Sequence, residues 1–336
     1  MLNNVLLIDS DYDEATPFIQ GLKEATGEEW DITMEQNNKI YGVKRYAKFF
    51  TVAFKMFLKR KKYVGKTLLC WQQFYGITIA FFCRLFHVRK CFNLVIMTFI
   101  YKPKFGLTGK LFNSFIKYAI TSQYVDKIIL TTNSERKLYV KEFGVDENLF
   151  AFAHCGAVEF DPVQFEDADL RNQNYYFSTG RSNRDYQFLI DSFKGTNKKL
   201  VIACDSLKPE CNENIEIRDD LFGNDMLRYM RNAQAVIISL ANDCIAAGQL
   251  VFLHAMNMGT PAIITKSKGI TDDYVKDGYN GLIIEKKKED LLKAINKLEN
   301  QNFRCFLSEN SMKEFKDKYT YYSSGKEIGS ILNQLY

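Results

Sequence analysis

The sequence lacks the residues and motifs that several large classes of protein require. It has only three histidines, and none of its eight cysteines forms a C-x-x-C pair, so no zinc-binding set is complete. The patterns G-x-G-x-x-G, G-x-x-x-x-G-K-[ST] and G-x-S-x-G are also missing. By motif, the chain is therefore neither a zinc module, a P-loop protein nor an α/β-hydrolase.

Long apolar runs are missing too. The best candidate, residues 67–86, is interrupted by Gln72, Gln73 and Arg84, so we expect no transmembrane helix. The first residues have no basic start before their apolar run, which predicts a strand rather than a signal peptide. Several cysteines lie inside apolar runs such as "VIACD". That placement favours buried, reduced thiols and a cytoplasmic location.

Apolar runs alternate with helical patterns through both halves of the chain. With 46% hydrophobic and 25% charged residues, 336 residues can build two medium domains with full cores. The predicted strands are NVLLID, KTLLCW, FNLVIMTFI and DKIILTT in the first half, and NYYFST, KLVIAC, NIEIRD, AQAVIISL, TPAIIT and GLIIE in the second. Strands separated by helices predict parallel sheets covered on both faces, as in two Rossmann-like domains.

The predicted domain boundary lies in a polar, acidic segment that contains Pro162. We expect a first domain at residues 1–163 and a second at residues 164–336. The last helix either belongs to the second domain or packs back on the first.

A Gly-Arg turn follows the predicted strand NYYFST. Gly180 and Arg181 end this strand, and Arg184 opens the next helical pattern. Guanidinium groups placed there can hold phosphate oxygens through two parallel hydrogen bonds. Two arginines solvated at the surface are the alternative.

A second candidate anion site lies farther along the chain. An apolar helical pattern opens at Gly248, and the first turn of a helix leaves backbone N–H groups without partners. Because Gly248 has no Cβ, a phosphate could approach the backbone closely. Ordinary packing in a parallel sheet is the alternative. If the helix and the arginines share one crevice, they suit an anion or a nucleotide.

Three segments, in this order, resemble the donor-binding domain of retaining GT-B glycosyltransferases. They are the Gly-Arg turn with its following basic residue, "AMNMGTPAII" and "GITDDYVKDGYNG". The resemblance covers residues 175–285 and is to family 4 (glycosyl transferases group 1), of the bacterial surface-polysaccharide type. It implies an α/β fold of GT-B type, in which two Rossmann-like domains face each other across a cleft. The first half is similar only as a generic Rossmann domain.

The resemblance also implies an activity and a set of site residues. A sugar would pass with retention from a UDP- or GDP-sugar to a glycan acceptor, without a further cofactor or bound metal. Arg181 and Arg184 would be catalytic, because they would stabilise the departing diphosphate. The residues implied in donor binding are Gly180, Phe222, Asp225, Asp243, Ala247, Gly248, Gln249 and His254. For the segment 222–225, a turn with a helix N-cap at Asn224 or Asp225 is the alternative.

The sequence departs from the family pattern at two carboxylates. Where the family has glutamates eight positions apart, this chain has Ala246 and His254. A neutral His254 can still form one hydrogen bond to a ribose hydroxyl, or it is a packed helix residue. Asp243 and Gln249 flank the gap as substitutes or as loop residues. The loss motivates two rivals, a non-catalytic GT-B partner subunit of a transferase and a GT-B phosphorylase or epimerase.

A basic, aromatic stretch marks the first half. Residues 41–66 hold nine Lys and Arg and no acid, and their apolar stripe at helical spacing consists of Phe50, Phe54, Phe57 and Leu58. A predicted helix over 43–62 would lie on an anionic membrane through Lys59, Arg60, Lys61 and Lys62. A core helix with a solvated basic edge and nucleic-acid binding are the alternatives, and no RNA-binding motif supports the second.

The acceptor side is expected in the same half. Lys104 and Phe105 lie in a loop after a predicted strand, and Asp11 follows the first strand. Strand C-termini face the crevice in Rossmann-like folds, so these residues are candidates for acceptor contacts, or for a plain loop and an N-cap. The predicted role is cell-surface polysaccharide synthesis, such as capsule, on a lipid-linked glycan. The protein would be peripheral at the cytoplasmic membrane face, with other transferases as possible partners.

Overall fold

The computed structural model describes residues 3–9, 12–34, 42–243 and 245–335. It divides into two compact units. Unit 1 comprises residues 1–154 and 321–336, and unit 2 comprises residues 155–320. The break therefore lies at 154/155, whereas the sequence prediction placed it at 163/164, and the residues from 321 onward belong to unit 1.

Unit 1 is built on a parallel sheet. Its described strands run in the order β2-β1-β3-β4-β5-β6, and each neighbouring pair is parallel. The four central strands are almost entirely buried, as expected for apolar runs covered by helices on both faces, whereas the two edge strands are only partly buried. The strands are β1 Asn4–Ile8, β2 Trp30–Met34, β3 Thr67–Cys70, β4 Asn93–Ile96, β5 Lys127–Leu130 and β6 Phe150–Phe152.

The helices of unit 1 include one from the far end of the chain. They are α1 Tyr12–Thr26, α2 Gly42–Leu58, α3 Gln73–Leu85, α4 Gly106–Ile120, α5 Ser134–Phe143 and α13 Tyr321–Leu332. Short 3-10 turns follow at Arg60–Tyr63, Glu147–Leu149 and Asn333–Leu335. Helices α1 and α13 pack at very close range, because Gly21 and Gly325 let the backbones meet. A Cβ on Gly325 would lie 2.1 Å from the carbonyl oxygen of Phe18.

Unit 2 has the strand order of a doubly wound Rossmann sheet. Its described strands run β13-β12-β11-β7-β8-β10-β9, all parallel except the edge strand β9. They are β7 Tyr175–Thr179, β8 Lys199–Ala203, β9 Glu210–Asn212, β10 Ile215–Arg218, β11 Ala235–Ile238, β12 Ala262–Thr265 and β13 Leu282–Ile284. The first strand, β7, lies beside the fourth parallel strand, β11, so the order of connection reverses between them.

Helices cover both faces of the unit 2 sheet. They are α6 Ala168–Asn172, α7 Tyr186–Phe193, α8 Gly223–Asn232, α9 Gln249–Met258, α10 Thr271–Tyr274, α11 Lys288–Glu299 and α12 Gln301–Glu314. A 3-10 turn at Pro162–Phe165 precedes them, and a π-helical turn at Phe315–Tyr319 follows. Helix α9 is buried along most of its length, and its apolar side chains join the core that covers β7 and β11.

The predicted α/β class with parallel sheets is confirmed. Each of the ten predicted strands is present, in shortened form. The prediction missed β2, β6 and β9. Two of these have three residues each, and β9 is wholly exposed, so no buried apolar run marks it.

Candidate functional site

The order of connection reverses between β7 and β11, which places a topological switch point at the carboxyl edge of the unit 2 sheet. The loops that leave neighbouring strands there turn to opposite faces, and ligands of doubly wound sheets bind in the gap. The loop after β7 carries residues 180–185, and the loop after β11 leads from 239 to the start of α9. Both predicted anion-binding segments therefore begin at this edge.

Arg184 lies over the glycine that ends β7. Gly180 has φ +118°, and a Cβ on it would lie 2.5 Å from Nη2 of Arg184. The guanidinium is held by backbone carbonyls, since Nε donates to Thr179 O at 3.0 Å and Nη1 donates to Ser182 O at 2.8 Å. The glycine thus provides both the turn and the room that the guanidinium occupies.

The charge of Arg184 has no acidic partner in the part of the chain that the structure describes. Its side chain is half-buried, and burial lowers the pKa of the guanidinium. Buried charges are normally paired, because removing them from water is costly. A half-buried guanidinium that bonds only to neutral carbonyls is suited to receive an anion.

An asparagine that the sequence analysis did not single out joins the two loops. Asn183 adopts a left-handed conformation with φ +57°. Its side-chain amide donates to Asn242 O at 2.7 Å, and its side-chain oxygen accepts from Asn242 N at 2.9 Å. The adjacent Arg184 forms a backbone bridge with Leu240. Asn183 thus ties the Arg184 loop to the loop after β11; asparagine's tolerance of positive φ was the only sequence signal.

Arg181 has a different environment from Arg184. Its side chain is mostly exposed and forms a two-point ion pair with Asp205, with distances of 2.8 and 2.7 Å. Asp205 follows β8, so the pair bridges the loops after β7 and β8. The structure places both arginines at the carboxyl edge, but only Arg184 lies there without an acid among the described residues.

Helix α9 begins next to the Arg184 loop. Gly248 precedes the helix with φ +96°, and no side chain caps the first turn. A Cβ on Gly248 would lie 3.1 Å from Ile238 and 3.8 Å from Leu240, the residue that pairs with Arg184. The uncapped start of α9 and the backbone of Arg184 therefore lie beside the same residue, Leu240.

The residues around the first missing glutamate are mainly structural. Gln249 is buried, and its amide donates to Gly269 O at 3.2 Å, which holds the following turn. Ala247 is buried and Ala246 is half-buried. Asp243 is exposed, and its carbonyl oxygen accepts from Ser267 Oγ at 2.8 Å. The side-chain amide of Gln249 already has this partner, and Asp243 keeps its carboxylate at the surface.

His254 has a buried nitrogen without a hydrogen-bond partner in the structure. This atom is Nδ1, and the ring lies 5.9 Å from the ring of Phe160, centroid to centroid. Burial lowers the pKa of His254 from its usual 6.5 to about 4, so the imidazole is neutral at physiological pH. An unpartnered buried nitrogen is costly, and a ligand hydroxyl or an ordered water would satisfy it.

Phe222 and Asp225 lie at the start of α8. Phe222 is the N-cap residue and is 52% exposed, and no side chain caps this helix. The alternative of an N-cap at Asn224 or Asp225 is therefore wrong. Asp225 accepts from Arg228 at 3.0 Å within the first turn. Phe222 presents an exposed aromatic ring that could stack on a base.

The adjacent acids Asp272 and Asp273 fall in the first turn of α10. Acids there interact favourably with the helix dipole. Within residues 3–9, 12–34, 42–243 and 245–335, no three His, Cys, Asp or Glu residues cluster as metal ligands would.

The acceptor- and membrane-side candidates of unit 1 lie on the surface, except Asp11, which falls outside the described residues. Lys59–Lys62 form the turn after α2, where Arg60 donates to Phe57 O at 3.1 Å. Lys104 Nζ lies 4.0 Å from the ring centroid of Phe112. Phe105 is 93% exposed, an unusual position for a large apolar side chain.

Helix α2 has one apolar face in the core and a second apolar stripe that stays exposed. Its core face is buried and consists of Phe49, Val52, Ala53, Met56 and Phe57. A second stripe stays substantially exposed and consists of Tyr46, Phe50, Phe54 and Leu58. Phe57, predicted in the exposed stripe, is thus a core residue. None of the helices in the described ranges is both long and apolar enough to cross a bilayer.

Sequence comparison gives this geometry a family context. Residues 175–301 match the family model "Glycosyl transferases group 1". An uncharacterized glycosyltransferase of Methanocaldococcus jannaschii is 26% identical over 237 residues, which are 66% of this chain and 62% of the relative. The chain therefore matches somewhat less than two thirds of the length of that relative.

Structural comparison identifies the fold. HepE of Anabaena, solved with UDP-glucose, superposes with a TM-score of 0.68 at 13% identity, covering 99% of this chain and 100% of that chain. WaaG, a glycosyltransferase involved in lipopolysaccharide biosynthesis, gives a TM-score of 0.62 at 12% identity, with 97% and 98% covered. The chain thus has the GT-B fold of these structures, and its residues 175–301 match the group 1 glycosyl transferase family model.

Proposed function

We propose that the protein transfers a sugar, with retention, from a nucleotide-sugar to a glycan acceptor. The observation that carries the proposal is the half-buried Arg184, which has no acid beside it among the described residues and adjoins the uncapped start of α9. A diphosphate leaving group gathers negative charge as the glycosidic bond breaks. Arg184 and the α9 amides would stabilise that charge, the electrostatic contribution that dominates many enzymes.

A uridine diphosphate sugar is the first donor to test. HepE, which shares the fold, was solved with UDP-glucose. Phe222 offers an exposed ring for the base, and His254 offers a neutral, unpartnered nitrogen for a ribose hydroxyl. GDP-sugars are the second choice. We propose no cofactor or metal beyond the donor, and the leaving phosphate would take the proton of the attacking hydroxyl.

The acceptor is proposed to be a lipid-linked glycan at the cytoplasmic face of the membrane, in surface-polysaccharide synthesis. The support is the second apolar stripe of α2 next to the basic turn at Lys59–Lys62, a combination typical of helices on anionic lipid. Phe105 adds an exposed aromatic side chain to the same unit. The likeness to WaaG, which acts in lipopolysaccharide biosynthesis, fits such an acceptor.

The test is a thermal-shift screen of UDP, GDP and their sugars, followed by calorimetry and by assays of donor hydrolysis and transfer. A ligand at 100 times its dissociation constant adds about 2.7 kcal/mol to stability. We expect one nucleotide family to stabilise the protein and its sugar to be slowly hydrolysed. If no nucleotide or nucleotide-sugar binds, the proposal fails.

A non-catalytic nucleotide-binding subunit is the second candidate. It is favoured by Ala246 and His254, which replace the two carboxylates of the family pattern. Gln249, the nearest amide, is already bonded to Gly269. Tight nucleotide binding without hydrolysis or transfer, alone or with a partner transferase, would support this candidate. Product analysis after incubation of the donor with phosphate, or of the donor alone, distinguishes a phosphorylase or an epimerase from a transferase.

A further inference from the structure

An arginine-lined cavity lies at the other edge of the unit 2 sheet from Arg184. It has a volume of about 350 Å³ and is bounded by the residues that precede β11 and β12 and by one face of α12. Because β7, β11 and β12 are parallel, their amino ends share this edge, while Arg184 and Gly248 lie at the carboxyl edge. The cavity is therefore separate from the proposed donor site.

Three guanidinium groups line the cavity, those of Arg171, Arg231 and Arg304. Arg231 uses both terminal nitrogens, since it donates to Glu166 at 2.8 Å and to Met258 O at 2.6 Å, while its buried Nε has no hydrogen-bond partner among the described residues. The Arg231 bond lowers the pKa of Glu166, so this acid stays ionised and is committed to that pair. Glu309, which is exposed, is the acid that lines the cavity itself.

Arg304 and Arg171 keep most of their hydrogen-bonding capacity. Arg304 is half-buried and donates to the neutral side-chain oxygen of Gln234, and no acid pairs with it in the part of the chain that the structure describes. Among the described residues, Arg171 makes only long contacts, at 3.5 Å, with Glu166 and with Asn232. Each guanidinium carries five N–H donors, so both can still hold phosphate oxygens.

Helix carbonyls would repel an anion here, but those nearest the cavity already accept hydrogen bonds. Arg231 donates to the last carbonyl of α9, and Thr260 Oγ1 donates to Met230 O of α8 at 2.8 Å. Their negative ends are thereby partly neutralised. The hydroxyl of Ser308 adds a neutral donor at the wall.

We propose that this cavity binds a small soluble phosphate-bearing anion, such as a diphosphate or a phosphorylated sugar, through Arg304 and Arg171. The site goes beyond the proposed transfer reaction. Helix α9 runs from its N-cap Gly248 at the carboxyl edge to its C-cap Gly259, which lines the cavity. An occupant would therefore contact an element whose other end begins the proposed donor site.

Cys305 provides a local readout, because it lines the cavity and its thiol side chain is exposed. Cys211, exposed on β9, is an internal control in the same unit. The experiment measures alkylation of both thiols by mass spectrometry, with pyrophosphate and with chloride at matched ionic strength. It uses the full chain carrying Arg184→Gln, so that the proposed donor site contributes little.

We expect pyrophosphate to slow labelling of Cys305 about tenfold at roughly ten times its dissociation constant, and to leave Cys211 unchanged. The Arg171→Gln/Arg304→Gln pair should abolish the protection. Arg304→Lys, which keeps the charge, should retain part of the protection of Cys305. It replaces the double variant in the test if that variant does not fold. Equal labelling of Cys305 with and without pyrophosphate would overturn the proposal, as would protection that survives in the glutamine pair. Nucleotide binding by the parent protein is a separate measurement, so failure here leaves the proposed function standing.

Discussion

Arg184 is the residue on which the proposed chemistry depends most. It is half-buried with only carbonyl partners in the described structure, whereas Arg181 is exposed and paired with Asp205. A cation aimed at a leaving diphosphate acts more on the transition state than on the bound donor. The two arginines should therefore differ in their contribution to turnover.

We predict that Arg184→Ala lowers the transfer rate by about 30- to 1000-fold, the effect of losing roughly 2–4 kcal/mol of transition-state stabilisation. Arg184→Lys should recover part of the rate, since it keeps the charge and loses the two-point geometry. Arg181→Ala is the matched comparison and should cost less, because its guanidinium must first leave Asp205. Steady-state transfer and nucleotide calorimetry measure the effects. Parent-like turnover in Arg184→Ala would remove Arg184 from the mechanism.

Gly180 is predicted to be intolerant of a side chain. Gly180→Ala would place Cβ within 3 Å of the Arg184 guanidinium, at a φ that L-residues rarely adopt. Strain on the order of 1–3 kcal/mol should appear in the free energy of unfolding, together with lost activity. Gly195→Ala is the control, since Gly195 also has positive φ, +73°, but open space around its Cβ position. Equal costs at both positions would mean that only backbone strain matters.

His254 should make stability depend on pH. Its pKa falls from 6.5 to about 4 on folding, so the unfolded chain binds the extra proton between these values. Its contribution to stability is complete above pH 6.5 and is lost as pH falls toward 4, by about 2 kcal/mol at pH 5. Denaturant unfolding at pH 5 and 7 should show a smaller pH effect in His254→Leu than in the parent. His87→Asn, which removes an exposed histidine, should keep the parent's pH dependence.

At the scale of elements, the contact between α1 and α13 requires glycine. A Cβ on Gly325 would lie 2.1 Å from Phe18 O, and one on Gly21 would lie 2.1 Å from Tyr322 O. Backbone cannot move aside as a flexible side chain can. This close contact joins the last helix to the first helix of unit 1 across almost the whole length of the chain.

We predict that Gly325→Ala destabilises the protein by about 1–3 kcal/mol through overpacking. The sign is informative, because glycine to alanine inside a helix normally stabilises by up to about 1 kcal/mol. Ser330→Ala, on the exposed side of α13, should stay within about 0.5 kcal/mol of the parent. Urea unfolding compares the three proteins. A stabilised Gly325→Ala would show that α13 does not pack as closely as described.

At the scale of the whole molecule, a cluster of positive charge and a group of exposed apolar side chains both lie in unit 1. The formal net charge is only +5, yet residues 41–66 contain nine basic residues and no acid. The exposed stripe of α2 lies within that stretch, with Leu58 59% exposed. Attraction to anionic lipid and apolar insertion would therefore act through one surface.

We predict that the protein binds vesicles containing anionic lipid and releases them as salt rises. Changing Lys59, Arg60, Lys61 and Lys62 to Gln should abolish binding, since each basic residue near the surface contributes about 1 kcal/mol. The control changes Lys287 and Lys297, which are exposed in unit 2, to Gln; it removes two positive charges away from this surface and should leave vesicle binding normal. Flotation assays give the result. Binding that ignores both lipid charge and salt would contradict this surface.

The sequence alone determined the features that depend on neighbouring residues. Buried apolar runs predicted ten strands and the parallel sheets, because strand and helix periodicities are local. The Gly-Arg turn and the helix that begins after Gly248 were also predicted from the sequence, and both lie at the carboxyl edge of one sheet. Short or exposed edge strands such as β9 were not predicted, because they bury too few side chains to produce an apolar run in the sequence.

Only the tertiary structure decided which partners meet. The pairing of Arg181 with Asp205, the clasp between Asn183 and Asn242, and the bond from Gln249 to Gly269 join residues on different loops. Strand order brings those loops together, and no local propensity encodes it. The sequence shows that α2 is apolar on two sides, but only the structure shows which side is buried in the core. The sequence thus determines which charged side chains are present. Whether each of them forms an ion pair depends on the packed fold.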